Sequence, residues 1–315
     1  MQVHPQAQAF LDLLRDAPPL DTQTAGQNRA DLANALPLTG TGADMFSVRD
    51  RTISSVPVRI YVPTAPDGTA PAAVAYFHGG GWVLGDPEIA DTTARAIARH
   101  SGATVISVDY RRAPEHVFPA AADDAEAVTR ALLSGESGLD IDPARVAVAG
   151  DSAGGNLAAV TAQQLARHQP PLVHQVLVYP VTDARVGSTP SYSEFGDGHF
   201  LTRRDMQYFV DTYAGGADLD DVRLSPARNS DLSGVAPATV VTAECDPLRD
   251  EGEAYARQLR QAGVPTTAVR FGGQVHPFLY MAGLIDDAAA AREFIGTRLR
   301  AAFSTAEAGA APAAP

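Results

Sequence analysis

The chain of 315 residues contains no lysine, because all 24 of its basic residues are arginine. Mechanisms that require a lysine are therefore excluded, among them a Walker-type phosphate loop, a pyridoxal Schiff base, a Ser-Lys dyad and a Schiff-base aldolase. The formal net charge of −13 argues against a surface that binds nucleic acid or an anionic membrane.

Cysteine and long apolar runs are also scarce. The single cysteine, Cys245, permits neither an intramolecular disulfide nor a zinc cluster, which favours a reducing compartment. The first ten residues lack the basic flank and the apolar run of a signal peptide, and no stretch approaches about 18 uninterrupted apolar residues. The sequence therefore predicts a cytoplasmic protein with no membrane anchor.

Apolar runs alternate with helical patterns from about residue 70 onward, which is typical of a mostly parallel sheet with helices on both faces. The predicted strands of this block are 72–77, 104–108, 145–149, 173–179, 238–243 and 266–271. The predicted helices are 89–99, 118–133, 153–168, 249–262 and 286–303. An antiparallel edge pair, 45–48 with 56–62, is predicted ahead of them.

Two segments interrupt this alternation. Residues 1–43 are predicted to form cap helices, and residues 44–305 the main α/β domain. An insertion at about 187–230 carries a predicted helix, 203–213, in a stretch rich in glycine and proline. Insertions of this size are usually functional, so the two segments together suggest a lid. The Ala/Pro-rich tail, 306–315, is expected to be disordered.

The segment Gly150-Asp151-Ser152-Ala153-Gly154 follows a predicted strand and opens a predicted helix. This is the setting of a nucleophile elbow, in which small flanking residues permit a tight turn and the serine hydroxyl projects above the sheet. The amino terminus of the helix favours developing negative charge there. A glycine-rich turn with an incidental serine is the simpler alternative, but the surrounding strand and helix favour Ser152 as a nucleophile.

A serine nucleophile requires a base, and the base requires an orienting carboxylate. Among the eight histidines, His276 fits best because it lies in a predicted loop between the last strand and the last helix. Asp246 follows a predicted strand, at the sheet edge where the sites of open α/β folds assemble. A helix-capping role is the alternative for Asp246, and Glu244 and Asp250 are substitutes for it. The order Ser152, Asp246, His276 is that of α/β-hydrolases.

The segment His78-Gly79-Gly80-Gly81-Trp82 directly follows the first predicted parallel strand. Acyl transfer needs preorganised donors for its oxyanion, and glycines let backbone N–H groups approach it. We expect Gly79 and Gly80 to donate together with Ala153, and the histidine to orient the loop. With Asp109 the same region imitates a dinucleotide fingerprint, but its third glycine is displaced and the tryptophan blocks a pyrophosphate.

Five motifs stand in order along the chain: 78–82 (His-Gly-Gly-Gly-Trp), 109–115 (Asp-Tyr-Arg-Arg-Ala-Pro-Glu), 150–157 (Gly-Asp-Ser-Ala-Gly-Gly-Asn-Leu), 246–250 (Asp-Pro-Leu-Arg-Asp) and His276. Together they resemble the hormone-sensitive-lipase-like branch of the carboxylesterases. The acidic residue before the serine is similar to that of the Gly-Asp-Ser-Ala-Gly subgroup. Two features depart from the family pattern: Pro277 replaces the usual glycine, and Gly272-Gly273 replaces a bulkier residue.

The resemblance implies an α/β-hydrolase fold with a helical cap and cofactor-free hydrolysis of small-molecule esters with short to medium acyl chains. It assigns Ser152, Asp246 and His276 as the catalytic residues. It assigns the same three N–H groups, those of Gly79, Gly80 and Ala153, to the oxyanion hole. Some members of the family form homodimers, which makes a homodimer an option for this chain as well.

Six apolar side chains are candidates for the acyl and alcohol pockets, although apolar residues of cap helices more often belong to a core. They are Trp82, Phe200, Leu201, Phe209, Phe278 and Leu279. Two alternative functions on the same fold stay open. One is a non-catalytic small-molecule receptor, against which the intact serine, histidine and aspartate argue. The other is a lyase or dehydratase that uses the oxyanion hole.

Overall fold

The computed structural model describes residues 2–65 and 67–310. Its strands are β1 (Ser47–Ile53), β2 (Val56–Val62), β3 (Ala73–Phe77), β4 (Thr104–Val108), β5 (Val146–Asp151), β6 (His174–Val178), β7 (Ala238–Cys245) and β8 (Thr266–Val275). They form one sheet in the order β1-β2-β4-β3-β5-β6-β7-β8. The pairs β1/β2 and β2/β4 are antiparallel and all others are parallel. This confirms the predicted mostly parallel sheet.

The helices cover both faces of the sheet. They are α1 (Pro5–Leu13), α2 (Ala25–Ala33), α3 (Asp91–Ser101), α4 (Ala120–Leu133), α5 (Ala153–Gln164), α6 (Pro190–Phe195), α7 (Arg203–Ala214), α8 (Arg249–Gln261) and α9 (Asp286–Ala310). Apolar residues of α3 and α9 pack in one cluster, and those of α4, α5 and α8 pack in another. Across residues 2–65 and 67–310, no helix is both long and apolar enough to span a membrane.

The first strand differs from its prediction. The alternating pattern indicated a strand at 45–48, whereas β1 comprises Ser47–Ile53 and pairs along its whole length with β2. Ser54 and Ser55, both at positive φ, make the two-residue turn that fixes this register. Most of β1 is exposed, as befits an edge strand, and its polar sequence therefore carries little hydrophobic alternation.

The end of the chain also needs correction. Strand β8 continues to Val275, beyond the predicted end at 271, because pairing with β7 resumes at Cys245 and Val275 after a register shift. Gly273, with a positive φ of 67°, lies in this irregular stretch. His276 therefore follows the strand directly, and not after a glycine-rich loop. Helix α9 continues to Ala310, so the expected disorder is wrong for 306–310. The rest of the predicted tail, 311–315, lies outside the described residues.

The N-terminal segment and the insertion contact each other. Arg204 Nε in α7 donates to Asp21 Oδ2 at 2.8 Å, and the ring centroids of Phe10 and Phe200 are 5.2 Å apart. The short helix α6 was not predicted, because its six residues are too few to show a helical period. The two segments thus meet through an ion pair and an aromatic contact, as parts of one lid would.

Glu251 in α8 is a buried carboxyl group that holds the chain between β6 and the insertion. Its Oε1 accepts hydrogen bonds from the backbone N–H groups of Thr182 at 2.8 Å and Asp183 at 3.4 Å. Burial raises the pKa of Glu251 to about 8, although these hydrogen bonds act in the opposite direction. The group is therefore protonated at neutral pH and places no charge in the core.

The substitution Glu251→Gln should reduce the loss of stability at alkaline pH. Because the folded-state pKa is raised, the contribution of Glu251 is fully present below its ordinary pKa and is lost as the pH rises through about 8. Glutamine keeps the neutral form at every pH. Urea unfolding at about pH 5 and about pH 9 should therefore show a smaller difference in unfolding free energy for Glu251→Gln than for the natural protein.

Glu253→Gln is the matched control on the same helix. A hydrogen bond from Arg270 lowers the pKa of Glu253, so its contribution to stability is lost on acidification and not on alkalinisation. Glu253→Gln should therefore keep the alkaline loss of the natural protein. An equal alkaline loss in Glu251→Gln and the natural protein would contradict the prediction.

Candidate active site

Ser152 stands in a sharp turn between β5 and α5, with φ 56° and ψ −119°. Positive φ is uncommon for a residue with a side chain and persists only where the surroundings impose it. Here the Ser152 N–H donates to the carbonyl of Val178 in β6 at 2.8 Å, and its own carbonyl accepts from Asn156 at 3.0 Å and Val181 at 3.2 Å. The adjacent strand, the helix and the following loop thus impose the turn.

The two glycines of the serine motif are required by close backbone approach. A Cβ at Gly150 would overlap the carbonyl of Gly154, and a Cβ at Gly154 would overlap the carbonyl of Phe77 at the end of β3. The serine can therefore occupy this turn only when the positions two residues before and two residues after it lack a side chain. This explains the spacing that the sequence shows.

The structure brings the serine, histidine and aspartate together at the ends of β5, β8 and β7, three parallel strands of the same sheet. His276 Nε2 lies 3.0 Å from Ser152 Oγ, and His276 Nδ1 lies 2.9 Å from Asp246 Oδ2. The other carboxylate oxygen of Asp246 accepts a hydrogen bond from the N–H of Leu248 at 2.9 Å. All three side chains are buried. Since the carboxylate can only accept, Nδ1 carries the proton and Nε2 can accept the serine proton.

The two substitute carboxylates are occupied elsewhere. Glu244 Oε2 accepts from the N–H of Gly273 at 2.7 Å. Asp250 accepts from Arg249 Nε and from the N–H of Ser191, at 2.8 Å and 2.9 Å. Of the three candidate carboxylates, Asp246 is thus the one in contact with His276.

Gly79 does not fit the role that the sequence analysis gave it. Its buried N–H points at Asp151 Oδ1 and at Tyr280 Oη, both 3.1 Å away. An N–H group engaged in this way is not free to meet an oxyanion, so the assignment of Gly79 as a donor is wrong. The position of Asp151 at the end of β5 decides this, because its carboxylate lies beneath the glycine loop.

Gly80 and Gly81 present the next two N–H groups of the same loop. Within residues 2–65 and 67–310, neither of these N–H groups, nor that of Ala153, donates to another residue. The carbonyl of Gly80 accepts from Val83 at 3.1 Å and from Leu84 at 2.7 Å, which closes a tight turn. Gly80 and Ala153 therefore keep their predicted availability, and Gly81 joins them.

Asp151 is a site residue that the sequence analysis did not assign. Its Oδ1 also accepts from the hydroxyls of Tyr76 at 2.6 Å and Tyr280 at 2.8 Å. Burial raises the pKa of Asp151 to about 6, while the two tyrosine hydrogen bonds act to lower it. The sequence offered one signal for this role: an aspartate at the end of a strand predicted to be buried. A buried carboxylate requires several hydrogen-bond donors, so a network around Asp151 could have been expected.

His78 orients the glycine loop, as predicted. Its Nδ1 donates to the carbonyl of Gly79 at 2.8 Å, and its ring stacks on Tyr110 with centroids 4.3 Å apart. Burial lowers the pKa of His78 to about 4. The imidazole is thus neutral at physiological pH. It supports the loop through its hydrogen bond to Gly79, whereas Ser152 is hydrogen-bonded to His276.

The six candidate pocket residues do not form one group. Phe278 and Leu279 are fully buried in the apolar cluster of α3 and α9, where Phe278 packs on Tyr179 and Phe271. They are core residues, and their assignment to an open pocket is wrong because no surface is left for a ligand. Phe200 is 41% exposed on the cap surface.

The other three candidates pack on the opposite side of the sheet. Trp82 is fully buried and stacks on Tyr213 with centroids 4.6 Å apart, so it too belongs to a core. Leu201 and Phe209 are buried in the same cluster. Phe209 lies against the glycine loop, since a Cβ at Gly81 would overlap its ring.

The assembled groups suit acyl transfer. A hydroxyl, an imidazole and a carboxylate form one hydrogen-bonded series, and unengaged N–H groups lie on the loops beside it. This is the combination of nucleophile, base and oxyanion donors that acyl transfer requires. In the described part of the chain, no group of three or more His, Cys, Asp or Glu residues is placed to hold a metal ion.

Known proteins share this sequence and this fold. A family model described as the alpha/beta hydrolase fold matches residues 74–280. An ethyl acetate hydrolase from Pseudomonas putida is 39% identical over 306 residues, covering 91% of this chain and 95% of that protein. Carboxylesterase NlhH from Mycobacterium tuberculosis is 44% identical over 255 residues, covering 78% of this chain and 79% of NlhH.

Solved structures agree with these relatives. A thermostable esterase from Pseudomonas putida superposes with a TM-score of 0.91 at 38% identity, covering 96% of this chain and 98% of that one. A hyperthermophilic esterase from Pyrobaculum calidifontis gives a TM-score of 0.89 at 36% identity, with 96% and 99% covered. The chain therefore belongs to the hormone-sensitive-lipase-like family of α/β-hydrolases and is a carboxylic ester hydrolase.

Proposed function

We propose that this protein hydrolyses esters of short- to medium-chain carboxylic acids through an acyl-enzyme formed on Ser152. The observation that carries the proposal is the hydrogen-bonded series from Asp246 through His276 to Ser152, with gaps of 2.9 Å and 3.0 Å. These are distances at which a proton can pass from the hydroxyl to the imidazole. The fixed orientation of the imidazole supplies the correct tautomer.

The reaction has two halves. His276 takes the Ser152 proton as the oxygen attacks the ester carbonyl, and the imidazolium then protonates the departing alcohol. Water repeats the sequence on the acyl-enzyme and releases the acid. Asp246 holds the imidazole in the correct tautomer and stabilises the imidazolium.

The oxyanion is bound by the backbone N–H groups of Gly80, Gly81 and Ala153. They lack other acceptors among the described residues, and Ala153 is the first residue of α5, where the helix dipole favours negative charge. Gly79 contributes indirectly, because its N–H anchors the loop to Asp151. The donor set thus differs by one residue from the set that the family resemblance suggests.

The size of the acyl group follows from what surrounds the donors. Phe209 of α7 packs against Gly81 and limits the space beside the oxyanion donors. The Pseudomonas putida relative named an ethyl acetate hydrolase supports a preference for small esters. A homodimer and a cytoplasmic location stay predictions from the sequence, as does the lack of nucleic-acid partners.

The substitution Ser152→Ala should abolish ester hydrolysis. Rates are measured on p-nitrophenyl esters whose acyl chain grows from acetyl to hexadecanoyl. The natural protein should hydrolyse the acetyl and butanoyl esters fastest, and Ser152→Ala should lower kcat on both by about ten-thousand-fold or more, since the nucleophile is lost. A pre-steady-state burst of one nitrophenol per chain should mark acylation of Ser152.

Ser233→Ala is the control, because Ser233 is an exposed serine in a surface turn. It should keep the natural rate. An aryl phosphonate should inactivate the natural protein in a one-to-one ratio. A Ser152→Ala protein with an undiminished rate would exclude the mechanism, saturable ester binding without turnover would indicate a receptor, and phosphonate-insensitive elimination would indicate a lyase.

The substitution Phe209→Ala should shift the preference toward longer acyl chains. Removing the ring beside Gly81 enlarges the space next to the oxyanion donors, so the ratio of kcat/KM for octanoyl over acetyl esters should rise by about ten-fold. Phe200→Ala, on the exposed part of the cap, should leave this ratio unchanged. A lower melting temperature with an unchanged ratio would show that Phe209 serves only the core.

A further inference from the structure

Arg29 in cap helix α2 joins the cap to the loops behind the active site. Its Nη1 and Nη2 donate to the two carboxylate oxygens of Glu115 at 2.8 Å and 2.7 Å. Its Nε donates to the carbonyl of Val83 at 2.8 Å, and Nη2 also donates to the carbonyl of Ala113 at 2.9 Å. One side chain thus makes four hydrogen bonds, two of them to backbone carbonyls outside the cap.

Val83 links Arg29 to the oxyanion donors. The N–H of Val83 donates to the carbonyl of Gly80 at 3.1 Å and closes the turn that carries the N–H groups of Gly80 and Gly81. Val83 is therefore held at its carbonyl by the cap arginine and at its N–H by the carbonyl of Gly80. A shift of Val83 therefore also moves the N–H group that donates to the carbonyl of Gly80.

The motif at 109–115 supports the same loop. Tyr110 donates its hydroxyl hydrogen to the carbonyl of His78 at 2.7 Å, and the N–H of Ala113 donates to the carbonyl of Trp82 at 2.9 Å. Arg112 Nη1 donates to the carbonyl of Gly85. The motif thus fixes both ends of the glycine loop, and its last residue fixes Arg29.

Glu115 orients the side chain of Arg29. Within the described part of the chain, its carboxylate accepts hydrogen bonds from Arg29 and from no residue of the glycine loop. The hydrogen bonds from Arg29 lower the pKa of Glu115 to about 2, so the carboxylate is charged at every pH at which the enzyme is assayed. A planar guanidinium gripped by both carboxylate oxygens has a fixed orientation. This orientation directs Nε at Val83.

We propose that Arg29 is a positioning residue that couples the docked N-terminal cap to the alignment of the oxyanion donors. The inference rests on the proposed function, in which Gly80 and Gly81 donate to the oxyanion. With α2 in place, Arg29 holds Val83 and thereby the turn of Gly80. Without that contact the donors lose their fixed direction while Ser152 and His276 stay in place.

The substitution Arg29→Gln tests this coupling. With p-nitrophenyl acetate as substrate, kcat should fall by about ten- to a hundred-fold, because misplaced donors weaken the stabilisation of the transition state. Binding of the ester itself does not need these donors, so KM should change by less than about two-fold. The inhibition constant of an alkyl trifluoromethyl ketone, which forms an oxyanion on Ser152, should weaken by the same factor as kcat/KM.

Arg59→Gln is the matched control. Arg59 is as exposed as Arg29, at 24% against 25% of its side-chain surface, and it pairs with Asp50 and Glu88 at 2.8 Å and 2.6 Å. Among the described residues, its ion-pair partners lie outside the loop 78–85. Arg59→Gln should lower the melting temperature as much as Arg29→Gln does but should keep kcat and the ketone affinity.

Glu115→Gln separates aiming from direct contact. It should lower kcat in the same direction as Arg29→Gln but by less, because Arg29 keeps its backbone partners. The double variant Arg29→Gln/Glu115→Gln should lose no more activity than Arg29→Gln alone, since Glu115 acts through Arg29. Independent, multiplicative losses would overturn this order of action.

Amide hydrogen exchange tests the coupling without any substrate. In Arg29→Gln, exchange of the peptide covering Val83 and Leu84, whose N–H groups bind the carbonyl of Gly80, should accelerate, whereas Arg59→Gln should leave it unchanged. Unchanged exchange and unchanged kcat in Arg29→Gln would overturn the inference, as would an effect confined to KM. A natural protein with no esterase rate but the same exchange response would overturn the proposed function and leave the cap coupling standing.

Discussion

The turn at Ser152 is the constraint around which the site is arranged. Its φ of 56° is one that a serine adopts only at a cost of about 1–3 kcal/mol, so the surrounding structure must impose it. Hydrogen bonds from and to β6, α5 and the loop after β6 do so, and two glycines make room for the backbone. With the serine fixed, the ends of β7 and β8 need only bring Asp246 and His276 alongside, because neighbouring parallel strands end at the same edge of the sheet.

The glycine loop, which carries the proposed oxyanion donors, depends on a second set of contacts, made on two sides. From beneath, the buried carboxylate of Asp151 takes the N–H of Gly79 and two tyrosine hydroxyls. From outside, Arg29 holds the carbonyl of Val83. Asp151 is also the residue next to Ser152, so the same short stretch of chain fixes both the proposed nucleophile and the loop with the proposed oxyanion donors. A loop of three glycines is conformationally flexible. The hydrogen bonds to Asp151 and from Arg29 therefore fix its conformation.

Sequence reasoning succeeded where local pattern decides the outcome. The strands, the serine motif, and the order Ser152, Asp246, His276 follow from alternation and spacing, and the structure brings those side chains together. It failed where the three-dimensional neighbourhood decides. Which glycine N–H stays free depends on where the Asp151 carboxylate lies, so Gly79 was misassigned. Burial of Phe278 depends on which face of the sheet receives it. The bounds of β1 and β8 could not be predicted from hydrophobic periodicity, because β1 is mostly exposed and β8 contains two glycines near its end.

The chain has no lysine, and at position 29 the structure shows why an arginine is needed. Arg29 satisfies four acceptors at once, two carboxylate oxygens and two backbone carbonyls lying in different directions. A lysine ammonium has three donors on one nitrogen and cannot grip a carboxylate with two parallel bonds while a separate nitrogen reaches a carbonyl. The planar fork is therefore required by geometry at this position, and charge alone would not replace it. Elsewhere on the surface, where arginines pair with a single carboxylate such as Arg15 with Asp12, no such requirement exists.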